Sequence, residues 1–306
     1  MKVIVDTEKP FTKVAVDGIR KIVEEAGHEL VLLENYTEKS QLLAAVAEVE
    51  AIMVRGDIVD AEVMAAAPKL QIVVRAGAGY DNVDLAAATE RKVVVMNTPG
   101  QNANAVAELV FGMLIYHLRK RFSGKSGGEL KGKKLGLLAY GHIGRCVARI
   151  AKGFGMDVQA YDFFNRVERI EIDGIKAATN RYAMVQECDI VSLHMPATPE
   201  TKGSVNREFL ELLKPNAILV NTARKELINE ADLLEYLKER TDLSYLTDIR
   251  PAMHDEFEAD LGDRYFSPPK KMGAQTAEAN MNAGLAAADQ ICKFFATGCT
   301  TYQVNA

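Results

Sequence analysis

The chain has 306 residues, 48% of them hydrophobic and 26% charged, with no tryptophan. That length allows two domains of about 150 residues each, and no run approaches the roughly 18 consecutive apolar residues of a membrane span. A net charge of −5, from 37 basic and 42 acidic residues with no basic face, excludes a nucleic-acid footprint.

The N-terminus turns acidic by residue 6, so it reads as a first strand and not as a signal peptide. Val3 to Val5 is that strand. Val14 to Ala26 follows as a helix, His28 to Leu33 as a strand, and Ser40 to Val49 as a helix with Ser40 as its cap. Ala51 to Val54, Leu70 to Val74 and Val93 to Met96 are unbroken apolar runs, as in strands buried on both faces. This alternation predicts a parallel, doubly wound sheet. Asn97-Thr98-Pro99-Gly100 interrupts it, a helix runs from about Ala105 to Leu118, and a polar, Gly-rich loop spans Phe122 to Lys134. A second series then begins, with strands at Leu135 to Ala139, Val158 to Tyr161, Ile190 to His194, Ala217 to Asn221 and Tyr245 to Asp248. The Ala-rich helix Ala277 to Phe295 is expected to cross back and pack on the first half. Cys146, Cys188, Cys292 and Cys299 form no CxxC and have no histidine at a ligand spacing. They read as free thiols of a reducing cytosol, with no metal site.

The second series opens with a strand, then Ala139-Tyr140-Gly141-His142-Ile143-Gly144, then a helix expected over Arg145 to Phe154. A helix N-terminus offers free N–H groups and a positive dipole end to a pyrophosphate. Gly141 lets the backbone approach the phosphates and Gly144 lets the helix pack on the strand. Ala139 replaces the usual first glycine, so this turn has to accommodate a methyl group. Asp162 ends the next strand, eighteen residues beyond Gly144. An acid there accepts from a ribose 2′-hydroxyl and repels a 2′-phosphate, which favours NAD over NADP. His142, set among the glycines, is expected on the phosphate side and not in the chemistry.

Five further segments occur in order along the chain. They are Val73-Val74-Arg75-Ala76-Gly77-Ala78-Gly79-Tyr80-Asp81-Asn82-Val83-Asp84, Asn97-Thr98-Pro99-Gly100, Ser192-Leu193-His194-Met195-Pro196, Leu219-Val220-Asn221-Thr222-Ala223-Arg224 and Gly273-Ala274-Gln275-Thr276-Ala277-Glu278. With them the chain resembles the D-2-hydroxyacid dehydrogenase family over essentially its whole length, and within that family the members acting on D-3-phosphoglycerate.

The resemblance implies an α/β protein of two Rossmann-like, doubly wound parallel-sheet domains with a cleft between them. Residues 1–98 and 283–306 would form a flavodoxin-like substrate domain, and 99–282 an NAD-binding Rossmann domain, with hinges near Pro99 and Asn282. It implies NAD-dependent oxidation of D-3-phosphoglycerate to 3-phosphohydroxypyruvate, the first step of serine synthesis. It also implies a homodimer built through the 100–134 region, in the short form that lacks a C-terminal regulatory domain.

Residue by residue, Arg224 matches the arginine that binds the substrate carboxylate. Arg55 matches the phosphate-side arginine, although Gly56 stands where serine is usual. Arg75, the amides of Ala76, Gly77 and Ala78 as an anion nest, and Asn102, next to Gln101, complete the substrate set. Ala223, Asp248 and Gly273 fall at the nicotinamide end, and His194 and Pro196 beside the adenosine half.

Two family residues are missing. The catalytic histidine of Pro-His-x-Gly is replaced in Pro269-Lys270-Lys271-Met272-Gly273, and no glutamate follows Asp248-Ile249-Arg250-Pro251 in register. Counting back from Gly273 places Lys271 at the histidine position; counting forward from Pro269 selects Lys270. Glu256 and Glu258 are off register, and His254 lies upstream in a polar stretch. A lysine base has to be neutral, so its pKa has to fall well below the usual ~10.4. A carboxylate partner would oppose that, so losing the glutamate along with the histidine suits a lysine base. Two other functions remain open on sequence: the same chemistry on glycerate, glyoxylate or hydroxypyruvate, and an NAD-binding sensor or scaffold without turnover.

Overall fold

The computed structural model describes residues 1–164 and 166–305. The chain divides into two compact units, residues 1–102 with 274–306, and residues 103–273.

Unit 1 is a five-stranded, all-parallel sheet. Its strands are β1 (Lys2–Thr7), β2 (Glu29–Glu34), β3 (Ala51–Val54), β4 (Ile72–Arg75) and β5 (Val94–Asn97), in the order β2-β1-β3-β4-β5. Successive side chains on a strand point to opposite faces. Val3 and Val5 accordingly face α1 (Lys13–Glu25) and the C-terminal helix Ala277–Thr297, while Ile4 faces α2 (Lys39–Ala45) and α3 (Ala61–Ala66). The returning helix packs on α1 as expected: a Cβ on Gly284 would lie 2.9 Å from Ile19 Cδ1, and one on Gly18 2.7 Å from Leu285 Cδ2. The last residues also seal the sheet, where Val95 N donates to Asn305 Oδ1 at 2.7 Å and Val304 N to Val95 O at 2.8 Å.

One expectation for this unit is corrected, and two helices not expected are added. Ser40 does not cap α2. The helix starts at Lys39, and Gln41 accepts the Glu38 amide at 3.1 Å, reaching back over the first turn. The short helices α3 and α4 (Leu85–Glu90) lacked a readable period, but each begins at an aspartate, Asp60 or Asp84, that accepts an amide three residues on.

Unit 2 is a seven-stranded parallel sheet. Its strands are β6 (Lys134–Leu138), β7 (Asp157–Tyr161), β8 (Lys176–Ala177), β9 (Ile190–Leu193), β10 (Ile218–Asn221), β11 (Ser244–Thr247) and β12 (Tyr265–Phe266), in the order β12-β11-β10-β9-β6-β7-β8. Leu135 and Leu137 face α5 (Ala103–Leu118) and α6 (His142–Gly153), and Leu138, Val191 and Leu219 pack on the opposite face. The strand order reverses between β6 and β9 here, and between β1 and β3 in unit 1. Open α/β sheets bind ligands at the carboxyl ends of strands beside such a reversal.

The basic stretch after α5 turns sharply. Lys120, Arg121 and Phe122 all have φ between 52° and 57°, three consecutive non-glycine residues in the left-handed region. Arg121 helps hold that turn by donating to Tyr265 O at 2.8 Å. All four cysteines are free, and no described helix is long and apolar enough to cross a membrane.

Candidate active site

The loop after β6 is built by its backbone. Ala139 sits at φ 79°, a left-handed conformation that costs an alanine about 1 kcal/mol. It is held there by its amide, which donates to Tyr161 O at 2.8 Å. Helix α6 begins at His142, three residues earlier than expected, with Gly141 as N-cap. The whole 141–144 segment therefore belongs to the helix N-terminus, where amides are free to meet an anion. A Cβ on Gly141 would meet nothing within 4 Å, which leaves an open approach for a phosphate. A Cβ on Gly144 would lie 2.5 Å from Ala139 O, so only glycine lets helix and strand close up.

Asp162 stands at the end of β7 as expected. Its Oδ2 accepts the Tyr140 amide at 2.8 Å and its Oδ1 the Phe164 amide at 2.9 Å. The carboxylate thus ties the phosphate loop to the neighbouring strand end, and its side chain is only 2% exposed.

The carboxyl ends of β9, β10 and β11 carry a row of buried polar atoms without hydrogen-bond partners among the described residues. They are both ring nitrogens of His194, Thr222 Oγ1 and Asp248 Oδ1. Buried polar atoms are ordinarily satisfied, so this row fits the polar edges of a nucleotide laid along the strand ends. Burial holds His194 at about 4, neutral near pH 7, with one ring nitrogen to donate and one to accept. Pro196 follows it, its carbonyl accepting from the Thr201 hydroxyl at 2.6 Å. Thr222 was not singled out in the sequence, although it stands inside the Asn-Thr-Ala-Arg segment.

Arg224 follows β10, its side chain exposed. Asn221 shapes this turn by accepting the Ala223 amide through Oδ1 and donating to Arg224 O through Nδ2, both at 3.0 Å. The only hydrogen bond of the Arg224 guanidinium among the described residues is to Ala223 O, at 2.9 Å.

Asp248 lies at the end of β11, the neighbour of β10. Its Oδ2 accepts the Gly273 amide at 2.8 Å, and a Cβ on Gly273 would sit 2.6 Å from that oxygen. Burial raises the Asp248 pKa and the charge of Lys271 partly opposes the rise. This corrects the picture of a lysine without a carboxylate: with the glutamate missing, Asp248 is still within electrostatic reach of Lys271. Lys271 and Lys270 are both exposed. His254 is no loop residue. It opens the helix His254–Leu261, is buried, and its Nδ1 lies 2.9 Å from the Tyr265 hydroxyl.

In unit 1, Arg55 and Arg75 stand at the ends of β3 and β4. Arg55 donates to Lys9 O at 2.8 Å and Asn280 Oδ1 at 2.7 Å, and it packs over the Phe11 ring. Burial lowers its pKa, with Asp57 opposing. Arg75 Nε donates to Arg55 O at 2.9 Å, and its guanidinium occupies the space where a Gly77 side chain would be, 1.5 Å from an ideal Cβ. The anion nest expected from residues 76–78 is reduced. The Ala76 amide donates to Val54 O and the Gly77 amide to Arg75 O, each at 2.8 Å, which leaves Ala78. Asn102 is half-buried at the end of the segment before α5.

A parallel doubly wound sheet with a glycine loop at a helix N-terminus, an acid on the next strand end and unpartnered polar atoms at the switch point defines a dinucleotide-binding α/β protein. Comparison with known proteins narrows the class. Residues 115–260 match the model of the D-isomer specific 2-hydroxyacid dehydrogenase NAD-binding domain. The chain is 36% identical over 298 residues to the D-3-phosphoglycerate dehydrogenase of Methanocaldococcus jannaschii, covering 89% of this chain and 54% of that one. It is 34% identical over 284 residues to the hydroxypyruvate reductase of Thermotoga maritima, covering 87% of this chain and 91% of that one. The crystal structure of NAD+-bound 3-phosphoglycerate dehydrogenase from Entamoeba histolytica superimposes with a TM-score of 0.87 at 45% identity, covering 100% of this chain and 99% of that one. The chain belongs to the D-2-hydroxyacid dehydrogenase family, and it spans about half the length of the curated phosphoglycerate dehydrogenases it matches.

Proposed function

We propose that the chain oxidises D-3-phosphoglycerate to 3-phosphohydroxypyruvate with NAD, the first step of serine synthesis. The observation that supports this reading is that Arg224 and Asp248 follow the paired strands β10 and β11, on the sheet that also bears the phosphate loop, and that the charge of Lys271 reaches Asp248. Bound NAD supplies the hydride acceptor. Arg224 grips the substrate carboxylate with paired N–H donors and so fixes C2. Lys271, in its neutral form, takes the proton of the C2 hydroxyl, and the C–O bond becomes a carbonyl; burial, which raises the Asp248 pKa, lessens the charge by which that carboxyl would hold the lysine protonated. Asp248, locked by the Gly273 amide, orients the lysine and offers its second oxygen to the nicotinamide carboxamide. The loop Tyr140 to Gly144 holds the pyrophosphate, Asp162 and His194 the adenosine end, and Arg55 and Arg75 the substrate phosphate. Pairing of two copies through the 100–134 region belongs to the same reading.

A second reading takes an unphosphorylated acid such as glycerate or hydroxypyruvate. It is favoured by Gly56 in place of the usual serine, and by the engagement of Arg55 with Lys9 and Asn280. Arg55→Ala separates the two. For a phosphorylated substrate, the variant raises KM for D-3-phosphoglycerate about tenfold or more beyond any rise for D-glycerate, the loss of one charge-assisted contact. Equal effects on both acids would support the second reading.

A further inference from the structure

The end of β7 carries more positive charge than a site limited to NAD requires. Asp162 is turned inward, each oxygen accepting a backbone amide. Arg166 Nη1 lies 3.7 Å from Asp162 Oδ2, close enough to offset its charge but beyond hydrogen-bond distance. The guanidinium rests over the Phe164 ring, 5.2 Å from the centroid, and is 41% exposed. Arg169, one turn further on, is exposed as well. Among the described residues neither guanidinium donates a hydrogen bond.

Arg145 is different. It grips Asp173 with two bonds of 2.7 and 3.0 Å, and the Tyr140 hydroxyl adds a third at 3.1 Å, so that pair is closed. Glu168 and Glu171 lie on the same short helix as Arg169, and neither pairs with these arginines. Beside the phosphate loop, Arg166 and Arg169 thus keep guanidiniums without hydrogen bonds among the described residues, although Arg169 also acts on Asp173. His142, in that loop, feels both: burial and then Arg169, Arg145 and Arg166 all disfavour its protonation.

We propose that the adenosine end of this site also receives a ribose 2′-phosphate on Arg166 and Arg169, so that the chain binds NADP(H) as well as NAD(H). The proposal rests on the dinucleotide reading above and extends it from NAD to its 2′-phosphorylated form. A 2′-phosphate is rejected when a carboxylate projects toward it. Here the carboxylate faces the backbone, and the groups facing solvent are guanidiniums, whose planar donors match phosphate. The ring of Phe164 under Arg166 also limits the freedom that Arg166 loses when it engages a ligand.

The test is direct binding, read from the fluorescence of NADH and NADPH titrated into the intact protein with no substrate present. The wild type is expected to bind both, and Arg166→Ala/Arg169→Ala to weaken NADPH about tenfold or more relative to NADH. Arg166→Gln is expected to give an intermediate shift of the same ratio. Raising the salt concentration should weaken NADPH more steeply than NADH. Binding of NADH without NADPH overturns the proposal, as does an equal loss of both coenzymes in the double variant. Failure of both coenzymes to bind wild type that gives a normal thermal transition overturns the dinucleotide reading and this proposal with it.

Discussion

Asp6 is the residue whose surroundings fit its charge least. It is fully buried near the end of β1, neither oxygen has a partner at hydrogen-bond distance among the described residues, and burial followed by the nearby Asp57 raises its pKa from 3.8 to about 7. The Tyr36 hydroxyl, which donates to Asp57 Oδ1 at 3.1 Å, also acts on Asp6 and offsets part of this. A folded-state value above the unfolded one means that the native state holds the proton more tightly. Stability from this group is present below about pH 4 and is lost as pH rises toward 7, by roughly 4 kcal/mol at most. Urea unfolding of wild type and Asp6→Asn at pH 5 and pH 8 tests this. The wild type is expected to lose more stability than the variant across that interval, and parallel losses would contradict the assignment. None of this was legible in the sequence, where Asp6 marked only the end of a polar-flanked strand. Arg224 was legible because its local segment fixes its place after a strand. The relation of Lys271 to Asp248 was not, because it joins residues on separate loops.

At the scale of elements, the junction of β6, the phosphate loop and α6 is the most constrained part of unit 2. The strand–loop–helix order was readable from glycine spacing, but the helix start was misplaced by three residues. The 142–144 segment has no apolar period to announce it, and only its backbone geometry makes it helical. The unusual alanine at position 139 is tolerated because its carbonyl and amide are both fixed by neighbours, its carbonyl facing Gly144 and its amide bound to Tyr161. Gly144→Ala would push a methyl carbon into the Ala139 carbonyl, a backbone contact that cannot rotate away. A loss of about 2 kcal/mol is expected, seen as a Tm lowered by several degrees, together with weaker NADH binding. An unchanged Tm and unchanged binding would show that the helix does not need this approach. The short helices α3 and α4 illustrate the opposite limit. They are too brief to show a period, and their capping aspartates were the one available signal.

At the scale of the whole molecule, alternating apolar runs made both sheets readable, since strands buried on two faces have little other sequence option. Their order in each sheet, with its reversal beside β1 and beside β6, is a tertiary property that no single residue announces. The return of the last helix to unit 1 was readable from its small residues, and Gly18 and Gly284 show why they are small. The departures from the family pattern were equally plain, but their consequence was not. On sequence alone the two missing catalytic groups suit a lysine base and leave lost catalysis open, and the carboxylate within reach of Lys271 emerges only in the structure. The measurement that decides between them is NADH formation from NAD with D-3-phosphoglycerate, D-glycerate and D-lactate, for wild type and Lys271→Ala. With Lys271 as the base, the wild type turns over phosphoglycerate and the variant loses that turnover by at least about a hundredfold, as for removal of a general base. Undiminished turnover in the variant would contradict the role of Lys271, and no turnover of any acid by wild type that still binds NADH would contradict the enzyme itself.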